Sequence, residues 1–466
     1  MNRFRMILSA AVVVAFLVLA ASVSFAQTSN GTLAGVITDK TGSVVPNATV
    51  TASHMELGGE KHTVIADSLG GYRIESLLPG KYEVVFKAAG FADFKFTGVD
   101  VKASVVTTVN ATLEVSTVAA TVTVEASGEQ LQTQSGELSA DISKLEINNL
   151  PFASLNPISL VLTQPGVQSV SSRDDFTNGV SFSVNGTRPR ANNFLIDGQD
   201  NNDNAINGQA FQQINPEAIG EVVVLTNSYS AQFGRGGGSV TNVISKGGTN
   251  EFHGAAWDIH RNSALAAIPA EDKLQGTTKN PVDIENTFGF SFGGPIKKNK
   301  LFVFGTTQWD RERSTANGLT RTLPTANGVA VLQSLNTPNA NFLISSLGGL
   351  RGVTPTGPNG TFRTVPLGGG RPAVEIGTVQ RSGVSEKSND RQEQVRADWL
   401  ATQSDTITGR YIRDDGELTP DFFNFPGALP PYDSQQGGPS QTGGFTWVHS
   451  FSPRAVNEFR DRKSVV

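Results

Sequence analysis

The sequence predicts a mainly β protein in three consecutive parts, and three observations carry that reading. Apolar and polar residues alternate with a period of two along many short runs, such as Tyr82, Val84 and Phe86, or Phe288, Phe290 and Phe292. Turn-forming glycine, proline and asparagine separate these runs, with Gly 49 and Pro 22 over 466 residues. Past residue 26, no stretch is apolar for the roughly 20 residues that a membrane-spanning helix needs. The parts expected are a small β-sandwich over 28–116, a linker over 117–126, a mixed α+β segment over 127–250, and a run of antiparallel, barrel-type strands over 251–466.

Residues 1–26 read as an export signal. Arg3 and Arg5 supply the positive start, Met6 to Ala21 the apolar core, and Ser24-Phe25-Ala26 the small-residue exit, with cleavage expected after Ala26. The chain carries 37 Lys and Arg against 42 Asp and Glu, a formal charge of −5. A mildly acidic chain without basic blocks argues against nucleic-acid partners. It has no cysteine, so disulfides, thiolate metal sites and thiol catalysis are excluded.

In the first part, Ala48, Val50 and Ala52 alternate with polar residues, as do Tyr82 to Phe86 and the longer run from Val105 to Val115. Lys40-Thr41-Gly42, Gly70-Gly71, Pro79-Gly80 and Ala89-Gly90 supply the turns. Gly35-Val36-Ile37-Thr38-Asp39, Val45-Pro46-Asn47-Ala48-Thr49-Val50, Asp67 to Ile74, and Leu78-Pro79-Gly80-Lys81-Tyr82 together resemble a carboxypeptidase regulatory-like domain. The resemblance implies a transthyretin-like or carbohydrate-binding-like sandwich without peptidase activity. Its role is read as packing adaptor or as binding module, since fold alone carries no function.

Thr117 to Ala126 is a β-prone, nearly uncharged run. Within it Thr121, Val122, Thr123 and Val124 resemble a TonB box, an extended segment that a periplasmic partner captures as an added strand through main-chain hydrogen bonds. The competing reading is simply the last strand of the first domain or the first strand of the next.

Residues 127–250 carry the most specific pattern. Leu150-Pro151-Phe152 opens it, Ser154-Leu155-Asn156-Pro157 starts a short helix, and Gln164-Pro165-Gly166 ends that piece. Phe182 to Pro189, Asn192 to Gly198, Ile219 to Leu225, Tyr229 to Arg235 and the glycine-rich Gly236 to Asn250 follow. In order and spacing these resemble the plug of a TonB-dependent outer-membrane receptor, of the Oar-like kind that carries a regulatory-like domain in front. The glycines are expected where the plug hands over to a barrel wall. Arg188, Asp197 and Arg235 are the candidate plug–barrel charge contacts that the resemblance implies; the alternative is ordinary solvated charge.

Seven strand candidates follow, at 251–258, 287–294, 301–309, 394–400, 405–412, 443–449 and 455–459. Apolar residues would face lipid and small or polar ones the lumen, with Trp257, Trp309, Trp399 and Trp447 in an aromatic girdle. Residues 313–390, rich in Gly, Pro, Asn and Thr, are expected as a long external loop containing at most small strands. Asp461 to Val466 breaks the strand pattern, and seven strands fall short of the roughly 22 of plugged transporters. The expectation is therefore a C-terminally truncated chain holding the first part of a barrel.

No catalytic constellation emerges. His54, His62, His253, His260 and His449 form no zinc-hydrolase motif, and Gly234 to Gly238 leads into a strand where a dinucleotide loop needs a helix. Asp197, Asp200 and Asp203 lack calcium-loop spacing and read as an Asn/Asp-rich turn. Neither a resident metal nor a cofactor is expected. The function implied is uptake of a solute, siderophore or carbohydrate, through a plugged barrel in the outer membrane of a Gram-negative cell. A TonB-type periplasmic energy transducer would be the partner and outer-membrane lipid the surround. The alternative is a cell-surface glycan-binding or adhesion protein without transport.

Overall fold

The computed structural model describes residues 30–465 except 59–60, 116–120, 126–135, 151–155, 171–180, 204–209, 231–232, 235, 275, 317–319, 348–352, 358–359, 381–382, 423–424, 426–433 and 453–454. The expected export signal lies outside these.

The sandwich is built from β1 (Gly31–Asp39), β2 (Thr49–His54), β3 (Lys61–Ile65), β4 (Gly71–Leu77), β5 (Gly80–Lys87), β6 (Asp93–Val101), β7 (Val106–Thr108), β8 (Ala111–Leu113) and β9 (Thr121–Glu125). One sheet has the order β4-β1-β7, with β8 also on β1; the other has the order β3-β2-β5-β6-β9. Alternate residues meet between them, so Leu33, Ile37, Val50, Tyr82, Val84, Phe86 and Leu113 are fully buried. Buried Tyr82 satisfies its hydroxyl by donating to the Leu78 carbonyl at 2.9 Å.

Two expectations change here. The run from Val105 to Val115 is not one strand but two, β7 and β8, both parallel to β1. Between them the Asn110 side chain takes the place of a ladder partner, accepting from the Val36 amide at 2.9 Å. The expected linker also contains a strand of the sandwich. β9 lies parallel to β6, with Phe94 beside Val122 and Phe96 beside Val124.

The plug comprises β10 (Leu138–Ser143), α1 (Lys144–Asn149), β11 (Val167–Ser169), β12 (Phe182–Val184), β13 (Asn193–Ile196), β14 (Gln199–Asp200), β15 (Ile219–Asn227) and β16 (Val240–Ser245). Its main sheet has the order β10-β15-β16-β13-β14. The expected helix near 154–162 is a 3-10 helix over Pro157–Thr163, started by the Asn156 side chain accepting from the Ile158 amide. α1 is opened by a capping box between Ser143 and Glu146. β16, with all six residues buried, runs through the centre of the sheet.

The wall contains β17 (His253–Asn262), α2 (Ala270–Leu274), β18 (Asp283–Lys297), β19 (Leu301–Ala316), β20 (Arg321–Pro324), α3 (Ala326–Leu335), α4 (Pro338–Leu347), β21 (Arg363–Val365), β22 (Val374–Val379), β23 (Val384–Leu400), β24 (Asp405–Thr419), β25 (Gln436–Ser452) and β26 (Ala455–Val465). The sheet β17-β18-β19-β23-β24-β25-β26 is antiparallel throughout. Six of the seven strand candidates fall within one of these strands, and the seventh, 251–258, starts two residues before β17. The expected long loop starts later and ends earlier than 313–390, because β19 runs to Ala316 and β23 starts at Val384. Its interior folds into α3, α4 and a small sheet of order β20-β22-β21. Asp461 to Val465 continues β26 and does not break it: Arg460 pairs with Thr446, Arg462 with Gly444 and Ser464 with Thr442.

Phe288, Phe290 and Phe292 share the exposed face of β18. On the same outer side, Leu301, Trp399, Ile407, Trp447 and Phe459 stand in one cross-strand row. Phe302 and Phe304 point the other way and are fully buried. The sandwich rests against the end of the wall that has short turns, where its Leu57 and Leu78 pack with Phe302 and Leu400.

Candidate functional site

A buried polar cluster lies where the plug meets the inner face of the wall, and Asp197 is at its centre. Asp197 and Gly198 form the two-residue turn joining β13 to β14, both with positive φ (48° and 69°). Asp-Gly suits such a hairpin, whose twist requires left-handed backbone at both positions. The turn is fixed to β16: Asp197 donates its amide to the Val243 carbonyl at 2.9 Å, and Gly198 donates to Asn242 Oδ1 at 3.0 Å. The carboxylate then accepts from the Ser245 amide at 2.8 Å and the Ser245 hydroxyl at 2.7 Å.

The wall supplies the counter-charge. Arg396 on β23 places Nη1 3.4 Å from Asp197 Oδ1, and Arg410 on β24 donates Nη1 to Asp197 Oδ2. Arg410 Nη2 also reaches Gln199 Oε1 at 3.0 Å. The other side of Arg396 forms a two-pronged contact with Asp398, Nε to Oδ2 and Nη2 to Oδ1 both at 2.9 Å. Thr408 donates to the same Asp398 carboxylate at 2.8 Å. Burial alone would favour the neutral form of Asp197, but the charges of Arg410 and Arg396 and the bonds from Ser245 outweigh it. Its pKa is held below the ordinary carboxylate value, so the group stays ionised.

Further contacts extend along the seam. Gln394 donates to the Ala218 carbonyl at 3.4 Å, and Gln199 Nε2 to the Phe445 carbonyl at 3.2 Å. Arg460 on β26 donates to the Gly198 carbonyl at 2.8 Å while paired with Glu458, and Arg462 donates to the Asp200 carbonyl. The predicted glycine hand-over acts through closeness rather than turning. A Cβ on Gly247 would stand 2.8 Å from Asp398 Oδ2, and one on Gly248 2.5 Å from the Val303 carbonyl oxygen. Without side chains there, the chain leaving β16 can lie directly on the wall.

Of the three charge contacts expected from sequence, the structure places Asp197 in this cluster. Arg188 is exposed, with no ion pair among the described residues, and Arg235 lies outside them. Arg396, Asp398, Arg410, Gln199 and Ser245 are cluster members that the sequence reading passed over. For Arg396, Asp398 and Arg410 the signal was charge at alternate, inward-facing positions of otherwise barrel-like strands; Gln199 and Ser245, uncharged and on plug strands, gave none. Thr121 to Val124 occupy β9, whose side away from β6 takes part in no pairing among the described residues. Asp200 accepts from the Asn202 amide at 2.8 Å. Among the described residues no group of three or more His, Asp or Glu side chains could hold a metal ion. The arrangement can hold the plug to the wall by paired, desolvated charge.

Comparison with known proteins follows the same division of the chain. The family described as "Carboxypeptidase regulatory-like domain" matches residues 32–114, "TonB-dependent Receptor Plug Domain" 118–241, and "Outer membrane beta barrel domain" 244–462. The TonB-dependent transporter Oar of Myxococcus xanthus is 27% identical over 316 residues, which are 65% of this chain and 29% of that protein. The chain thus spans less than a third of that relative's length. Among solved structures, a mutant ferric enterobactin receptor of Pseudomonas aeruginosa bound to enterobactin gives a TM-score of 0.40 at 13% identity, covering 67% of this chain and 39% of that one. The outer membrane transporter YddB of Escherichia coli gives 0.39 at 16% identity, covering 66% and 36%.

Proposed function

We propose that this chain is part of an outer-membrane transporter that takes up a solute through a plugged β-barrel, energised by a TonB-type periplasmic partner; its series of regulatory-like, plug and barrel domains supports that reading. The buried contact of Asp197 with Arg396 and Arg410 carries this reading most directly. It ties a compact plug to the inner face of a strand wall whose outer face is aromatic and apolar. A transporter needs such a removable obstruction; a surface adhesin without transport does not.

The short-turn end of the wall, against which the sandwich rests, would face the periplasm, and the long connections bearing α2, α3 and α4 would face outward. Thr121 to Val124 would be the segment that the partner captures, as a strand added to the free edge of β9. Siderophores and carbohydrates are the solute classes put forward. No chemical conversion of the solute is proposed.

The test is uptake in cells. Removing Thr121 to Val124 should abolish energised accumulation of the solute and leave its binding to the cell surface intact. Unchanged accumulation would overturn the proposed coupling.

A further inference from the structure

We propose that the sandwich and the plug move as one body, and that a pull on β9 reaches the plug through β6 and the turn Lys102–Val105. This rests on the capture of β9 by a periplasmic partner put forward above.

The turn Lys102–Val105 leaves the end of β6 and stands against the plug sheet. Each of its four residues makes a contact there. Lys102 Nζ is 3.0 Å from Asp141 on β10. The Ala103 amide donates to Glu221 Oε1 on β15 at 2.9 Å. Asn242 on β16 donates to the buried Ser104 hydroxyl at 3.0 Å. Ala103 and Val105 are buried in one apolar cluster with Val223, Leu225, Val240 and Ile244. One short turn therefore touches three neighbouring plug strands, including the central β16 that carries Ser245 to Asp197.

The route from β9 to that turn is short. β9 and β6 are paired in parallel over five register positions, Asp93 with Thr121 through Thr97 with Glu125. A pull along the strand axis loads those cross-strand bonds together rather than one after another. β6 leads into Lys102 five residues beyond the last paired position, Thr97.

The sandwich's hold on the wall is different in kind. Leu57 and Leu78 pack on Phe302 and Leu400, and half-buried Asn250, where the plug hands over to the wall, donates to the Glu56 carbonyl at 3.1 Å. The sandwich–plug contact combines an ion pair, a buried side-chain hydrogen bond and an apolar cluster; the sandwich–wall contact has a small apolar patch and solvent-facing hydrogen bonds. Under load the sandwich would part from the wall before it parts from the plug.

The competing route is the covalent chain from β9 directly into β10, bypassing the turn. The two are separable because the chain has no cysteine, so an introduced thiol is read without background. Ala218→Cys puts a thiol in the plug at a fully buried position. In cells, a membrane-impermeant maleimide should label it when the inner membrane is energised and not after a protonophore.

Ala103→Asp sets a carboxylate among Val223, Leu225 and the acids Glu221 and Asp141. It should reduce energised labelling to the protonophore level while a photo-crosslinker at Thr123 still captures the partner. The pair Ser104→Cys and Asn242→Cys, oxidised to a disulfide, should keep the parent's labelling. Full labelling in the Ala103→Asp protein, or loss of labelling on closing the disulfide, would overturn the proposal. Absence of any cross-link at Thr123 in the parent would instead remove the capture on which it rests.

Discussion

Asp197 and Arg410 are 213 residues apart in sequence and share a buried hydrogen-bonded ion pair, the plug's carboxylate against the wall's guanidinium. Each is poorly accommodated without the other, since a desolvated charge left unpaired costs several times what a surface charge does.

Asp197→Asn should therefore destabilise the seated plug by about 3–5 kcal/mol, because it leaves Arg396 and Arg410 short of counter-charge. Urea unfolding monitored by protease protection of the plug measures this. The double variant with Arg410→Gln should be less damaged than the two single costs added together. Strict additivity would show that the pair is not coupled.

Gly248→Ala should disturb the seat without touching any charge. Its Cβ would meet the Val303 carbonyl oxygen at 2.5 Å and that of Gly294 at 2.9 Å, both backbone atoms that cannot swing aside. A loss of about 1–3 kcal/mol is expected from such overpacking, whereas alanine at Gly409, with nothing within 4 Å, should be tolerated. Comparing the two thermal midpoints checks the contrast.

β9 should be sensitive to its main chain rather than to its side chains. Thr123→Ala should leave partner capture nearly unchanged, whereas Thr123→Pro removes an amide and fixes φ, and should abolish capture. Co-purification with the partner's periplasmic domain reads both. Equal loss in the two variants would mean that the side chain is what is recognised.

The junction at Glu221 should weaken as pH rises. Burial, reinforced by the nearby Asp141 and Asp100 charges and only partly offset by the Ala103 amide and Lys102, pushes Glu221 up to about 8 from its ordinary 4.5. Between those values the docked group holds a proton that the undocked one has lost, so docking stability falls with increasing pH across that window and levels off above about 8. Hydrogen exchange at the Ala103 amide, corrected for its intrinsic pH dependence, should show falling protection. Glu221→Gln should flatten the response.

The wall strands were readable wherever they alternate apolar and polar residues, and their ends were not. The alternation in 301–309 marks a strand, but β19 runs on through Asp310 to Ala316, polar on both faces. Past the apolar band a strand no longer needs a greasy side, so its hydrophobic signal stops before its hydrogen bonding does. β26 shows the same thing: Arg460 and Arg462 face the plug, where charge is accommodated by the Gly198 and Asp200 carbonyls. Ser143 and Glu146, three apart, are a local signature that marks the start of α1. The Asp-Gly pair likewise announces the turn at 197–198. No local signature says that Arg396 and Arg410 close on that turn, since the match is made between strands that meet only after the wall and plug have folded together.

The row Leu301, Trp399, Ile407, Trp447 and Phe459 also sets a depth scale. Aromatic rows of this kind sit at the boundary between headgroups and hydrocarbon. Arg396 lies three residues up β23 from Trp399, and Arg410 three residues up β24 from Ile407. At about 3.3 Å per residue, and with strands tilted by some 45°, that is roughly 7 Å inside the boundary. In the proposed outer-membrane transporter the ion pairs would then be ringed by a low-dielectric layer that dissolved ions do not enter. Changes in external or periplasmic salt should then leave them in place, and unseating the plug would call for mechanical work rather than a shift in ionic strength.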